Sequence, residues 1–160
     1  MQVAREIILT AGGLKKIEDE LDQLRKVHRK RVADRIRESV QFGGELGDNS
    51  EFEDAKNEQA FVEGRIEELR RILAMARVIE TDEVLTDKVG VGTVVRVREV
   101  ETSDEWEWSI VGTVEADPAE DRISNESPVG EALMGLKIGE TATVEIPAGI
   151  AKYEIVGIRK

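Results

Sequence analysis

Two carboxylates, Glu45 and Asp48, stand in the stretch Gly43-Gly44-Glu45-Leu46-Gly47-Asp48-Asn49-Ser50. Carboxylate oxygens suit a magnesium ion, which keeps several waters and is commonly bound by one or two carboxylates together with substrate phosphates. Two acids on a loop do not complete such a site. They finish one whose remaining ligands belong to a partner. The same residues have a plainer use: Asp48 or Ser50 can cap a following helix, with Glu51 or Glu53 at the capping-box spacing. Acids at a helix start also suit its macrodipole. Residue types and spacing leave both readings open and favour the caps.

The elements that must position these acids are two long arms. Three glycines, Gly43, Gly44 and Gly47, supply backbone freedom that a helix interior rejects. Before them, Thr10 is placed to cap a helix whose apolar stripe runs through Leu14, Ile17, Leu21 and Leu24. The stripe continues less cleanly through His28, Val32, Ile36 and Val40. After the glycines, Phe52, Ala55, Gln59, Val62, Ile66, Leu69, Leu73 and Ala76 alternate by three and four, a heptad seam. Folding the arms about the loop pairs Phe42 with Phe52, Val32 with Val62, Leu24 with Leu69 and Ile17 with Ala76. The predicted hairpin is roughly 40 Å long. His28 reads as a packed histidine and Gln59 as a register device on the seam.

The first arm carries the basic run RKVHRKRVADRIR, which places Arg25, Lys26, Arg29, Lys30, Arg31, Arg35 and Arg37 within a few turns, with Asp34 the only acid. It reads either as a solvated face or as a contact for a phosphate backbone. The formal charge of −11 excludes an extended nucleic-acid footprint but permits a local basic patch. With no cysteine, disulfides and thiolate metal sites are excluded. The first residues lack the apolar run of a signal peptide and no stretch approaches bilayer length, so the expectation is a soluble cytoplasmic protein without membrane contact.

The helical stripe stops near Glu80–Lys88, where TDEVLTDK brings turn formers. Beyond it, VGTVVRVREV and WEWSIVGTVE are β-branched and partly alternating, as are TATVEIP and AKYEIVGI, so strands are predicted. Ser127-Pro128 opens a short helix, serine as cap and proline at the first helical position. Trp106 and Trp108 share a strand face, which suits sheet packing more than a docking hot spot. The expected product is a small antiparallel sheet with one helix.

GELGDNSEFEDAKNEQAFVEGRIEEL resembles the tip and second helix of the bacterial transcript-cleavage factors, the Gre family. LTAGGLKKIEDELDQL resembles the opening helix of that family, and ISNESPVGEALMGLKIGE followed by TATVEIPAGIAKYEIVGI resembles its C-terminal domain. The resemblance implies an α+β protein: an N-terminal antiparallel two-helix coiled coil over 1–80 with an acidic tip at 43–50, a linker at 81–88, and an FKBP-like antiparallel β-sheet domain over 89–160. It implies a monomeric, DNA-associated transcription elongation factor, no enzyme in itself. Such a factor enters the RNA polymerase secondary channel and stimulates the polymerase's own cleavage of backtracked nascent RNA. By the same resemblance Glu45 and Asp48 share the second catalytic Mg2+ in trans, supported by Asn49 and Phe52. The seven basic residues named above guide the RNA 3′ segment, and Glu126, Ser127 and Pro128 meet the polymerase rim helices.

The chain departs from the family pattern at the tip. The family's aspartate falls on Glu45 and its glutamate on Asp48, which moves each carboxylate by about 1.5 Å; Gly47 replaces a serine, and Phe52 a tyrosine. Misplacement of that order can cost around a hundredfold in a positioned reaction. A channel-blocking inhibitor on the same scaffold therefore stands as the alternative, and a coiled-coil adaptor or chaperone as the alternative of another class.

Overall fold

A computed structural model describes residues 6–42 and 50–160. The expected tip residues Glu45, Asp48 and Asn49, and the side-chain pairing of Phe42 with Phe52, lie outside the described residues. The chain divides into two compact units, one of residues 15–75 and one joining the residues up to Leu14 to Ala76–Lys160.

The first unit is helical. Helix α1 (Ala11–Gln23) runs through a π-helical turn (Leu24–His28) into α2 (Arg29–Phe42), and α3 (Ser50–Met75) returns antiparallel. Ile17, Leu21, Leu24 and Val32 on the outgoing arm are buried, as are Ala55, Val62, Ile66, Leu69 and Ile72 on the returning one. The π turn explains the less regular stripe. The N–H of Arg29 donates to the carbonyl of Leu24, five residues back. That extra residue keeps seam positions spaced by four on one face, where an unbroken helix of 3.6 residues per turn would carry them off it. Beyond the bulge the ordinary period resumes. Ser39, its hydroxyl donating to the Ile36 carbonyl (2.8 Å), is therefore buried where Val40 was expected, and Val40 is 61% exposed. On α3, Ile72 is buried and Leu73 partly so.

Ala76 does not continue the seam. It opens β2 (Ala76–Ile79), which pairs in parallel with β1 (Ile7–Thr10) in the register Ile7 with Ala76 through Thr10 with Ile79. The β-branched pair Val78-Ile79 favours an extended chain, and β1 carries the fully buried Leu9.

The main sheet has β3 (Val94–Glu99), β4 (Glu105–Val111), β5 (Arg122–Ser124), β6 (Thr141–Ile146) and β7 (Gly149–Arg159), in the order β5-β4-β3-β7-β6. Its neighbours are antiparallel except β4 and β5, which are parallel. The expectation of a wholly antiparallel sheet is corrected there. Two 3-10 turns, Thr113–Glu115 and Pro118–Glu120, carry the chain back so that β5 runs in the direction of β4. Val95, Val97, Ile110, Ala142 and Ile155 line the buried face, closed by Val89 and by Leu133 of α4 (Pro128–Leu133).

Candidate functional site

The returning arm starts at Ser50, with Glu51 and Glu53 in its first turn, where the helix dipole favours negative charge. Phe52 is half-buried beside them. Directly across, Arg35 gives both its Nε and one terminal nitrogen to Oε1 of Glu51 (3.0 and 2.9 Å) and the other terminal nitrogen to Glu58 (2.6 Å). Arg31 reaches the second oxygen of Glu58 (3.2 Å). One turn further from the loop, Arg29 makes a two-pronged pair with Glu63 (2.7 and 2.8 Å). Arg65 does the same with Glu20 (2.6 and 3.0 Å).

Most of the basic run therefore serves the hairpin. Besides Arg29, Arg31 and Arg35, Lys26 pairs with Asp22 (2.9 Å) and Arg37 with Asp34 (3.3 Å). Arg25 and Lys30 are exposed and take part in no ion pair among the described residues. Hydrogen bonds from Arg35 and then Arg31 hold the Glu58 carboxyl below the usual carboxylate range, against the cost of desolvation, and the bond from Arg29 does so for Glu63. The same bonds keep Arg29 and Arg35 more firmly protonated than a free guanidinium. A shallow trough of about 510 Å3 runs along this face, lined by Lys26, Val27, Lys30, Arg31, Asp34 and Glu38. Glu58 and Glu63 were not singled out from the sequence, and Glu51 was read only as a capping residue. Folding the arms about the loop places Glu58 within a turn of Arg35 and Glu63 within a turn of Arg29, but leaves Glu51 about two turns from Arg35.

The loop before α4 is tied down at each residue. Ser127 Oγ accepts from the Gly130 N–H (3.0 Å) and donates to the Ser124 carbonyl (2.7 Å). This is the cap expected from residue types, followed by Pro128 at the first helical position. The Glu126 N–H donates to Ser124 Oγ (3.1 Å), and its carboxylate accepts from the Thr113 hydroxyl (2.9 Å). Gly130 is required here, because a Cβ would collide with the Ser124 carbonyl. Beside Glu126 lies a hollow of about 140 Å3, bounded by Ile7, Ile8, Gly112, Val114 and Asn125.

In the same unit, Thr10 caps α1 through the Gly13 N–H (3.1 Å), as its position predicts, and is itself gripped by Glu115, which accepts from its N–H (2.8 Å) and hydroxyl (2.6 Å). Trp106 and Trp108 stack at 6.1 Å, and Tyr153 meets Trp108 edge-on at 5.1 Å. Thr113, Glu115 and Tyr153 escape a sequence reading because their partners lie far away along the chain.

Two family models match the chain, one over most of its N-terminal half and one over its C-terminal half. Residues 7–78 match "Transcription elongation factor, N-terminal" and residues 84–160 match "Transcription elongation factor, GreA/GreB, C-term". The chain belongs to the GreA/GreB family of transcription elongation factors. It is 49% identical over 160 residues to transcription elongation factor GreA of Alkaliphilus oremlandii, covering 100% of both chains, and 47% identical over the same length to that of Acetivibrio thermocellus. Among solved structures it is similar to GreA factor homolog 1 of Thermus thermophilus (28% identity, 98% of this chain and 100% of that one, TM-score 0.45).

Proposed function

We propose that this elongation factor stimulates the intrinsic, magnesium-dependent cleavage of backtracked nascent RNA by RNA polymerase, and so rescues arrested complexes. The observation that carries the reading is the uninterrupted similarity to proteins named GreA across all 160 residues, with Glu45 and Asp48 inside the N-terminal match. Among the described residues no three His, Cys, Asp or Glu side chains cluster as a metal site. Glu45 and Asp48 are the donors of the right chemistry: two hard oxygen ligands, too few for an octahedral ion and fit to complete one held elsewhere. Glu45 and Asp48 would hold such an ion together with the polymerase, and bound there it would supply charge neutralisation at the scissile phosphate and a water of lowered pKa. Glu45 and Asp48 fix the ligand positions and accept hydrogen bonds from the attacking water. The factor supplies position and charge, while the bond is broken in the polymerase.

The remaining parts follow the same division of labour. The sheet unit, of FKBP-like type by resemblance, docks at the rim of the secondary channel through Glu126, Ser127 and Pro128. A loop whose carboxylate and cap are both already hydrogen-bonded loses little freedom on binding. The basic arm guides the RNA 3′ segment, and the factor works as a cytoplasmic monomer. The exchange of the two acids at the tip favours a second reading, a channel-binding inhibitor that leaves cleavage unstimulated. Halted, backtracked elongation complexes incubated with the protein and magnesium separate the two. Nascent RNA shortened by loss of its 3′ segment supports stimulation; suppressed synthesis with intact RNA supports inhibition.

A further inference from the structure

We infer that Arg35 is a positioning residue for the tip: its bridge to Glu51 and Glu58 fixes the first turn of α3, the turn that leads directly from Asp48. The inference rests on the cleavage reading and names a residue that sets how well the tip acids are presented. An isolated exposed ion pair contributes little, since side-chain entropy offsets most of its Coulomb energy. The Arg35 arrangement differs in geometry. All three guanidinium nitrogens are engaged, on two carboxylates seven residues apart on α3. Arg31 anchors Glu58 from a second direction, so the four side chains form a network. Planar, preorganised forks of this kind lose less freedom per bond than lysine does.

Location gives the network its consequence. The first four N–H groups of a helix have no intrahelical acceptors, so the first turn is its most easily opened part. Glu51 sits in that turn, three residues beyond Asp48, and Arg35 lies on the opposite arm. With Glu51 held, residues 50–54 stay helical. With Glu51 released, that turn opens more often, and a reaction that depends on positioned groups loses rate steeply when their support loosens.

Arg35→Gln, Glu51→Gln and Arg35→Lys in the full-length protein provide the test, with circular dichroism confirming that each retains its helix content. Two quantities are measured: amide exchange of residues 53–56, whose N–H groups donate across the first turn, in the free protein, and cleavage of backtracked complexes as a function of factor concentration. For Arg35→Gln and Glu51→Gln alike, exchange accelerates about fivefold and the maximal cleavage rate falls by about fivefold to tenfold, the scale of one disrupted hydrogen-bonded charge cluster. The half-saturating concentration stays unchanged, and Arg35→Lys recovers only part of the rate. If Arg35→Gln lowers the rate while Glu51→Gln does not, Arg35 acts on RNA as a charge and the inference is overturned. Unchanged exchange and rate in both variants overturns it as well. Wild-type protein that fails to stimulate cleavage defeats the functional reading itself, which distinguishes that failure from a failure of the Arg35 bridge.

Discussion

Tyr153 is the only tyrosine in the chain, which makes its ionisation directly observable. Its ring sits against Trp108, and burial, then the nearby Glu99 charge, push its phenol above the ordinary value. The neutral form is the one the fold favours, so this contribution to stability is present below the unfolded value of about 10 and lost as pH rises through the higher folded value. The absorbance change near 295 nm is expected to have its midpoint above that of the unfolded chain, and Glu99→Gln to bring it partly back. A midpoint at or below the unfolded value contradicts the packing described. Gly130→Ala is expected to destabilise the sheet unit by about 1–3 kcal/mol in urea unfolding, the range for overpacking a site with no room to yield. An unchanged midpoint would mean that the Ser124 carbonyl can move aside. At this scale the sequence was legible where chemistry is local. Ser127 and Thr10 cap helices that begin within three residues of them, and both caps follow from residue type. Glu115 was not legible as the partner of Thr10, because 105 positions separate them.

The arms show how far periodicity reaches. Spacings of three and four predicted an antiparallel pair, and the cross-arm bonds of Arg29 with Glu63 and Arg65 with Glu20 run in that sense, though Glu20 lies about two turns from the position predicted opposite Arg65. The π turn was visible only as a run of fours after Leu24, which a reader of heptads takes for a weak stripe. The swap of Ser39 for Val40 is the consequence. Acid titration tests the cross-arm bonds. Pairing with arginine holds Glu58 and Glu63 below the usual range, so their contribution is in place above the unfolded glutamate value of about 4.3 and is lost as pH falls through the lower folded values. The thermal midpoint of the helical signal is expected to fall between pH 5 and 3 (roughly the span of such titrations), and less steeply in Glu63→Gln. Identical slopes in the two proteins would show that the Arg29–Glu63 pair contributes nothing to the hairpin.

For the whole molecule, motif order along the chain proved more informative than any single motif. The helical and sheet halves were both legible, and the family matches at 7–78 and 84–160 follow the same two halves. Residues 7–10 were not legible as a strand, since IILT reads as a short apolar run until Ala76–Ile79 is known to lie beside it. The basic arm was legible as a charge pattern, but which of its cations pair across the arms depends on acids 16 to 34 residues away. The residues assigned to function divide in the same way: Glu126 and Ser127 are held by neighbours within the sheet unit, whereas the role proposed for Glu45 and Asp48 depends on ligands from a partner. The most direct measurement compares the maximal rate of RNA cleavage in backtracked complexes for the wild-type chain and for Glu45→Ala combined with Asp48→Ala. A loss of about a hundredfold or more is expected, the scale on which misplacement of a positioned group acts, while the double variant still competes with wild type for the polymerase. Cleavage by the double variant at the wild-type rate would contradict the assignment of these two carboxylates.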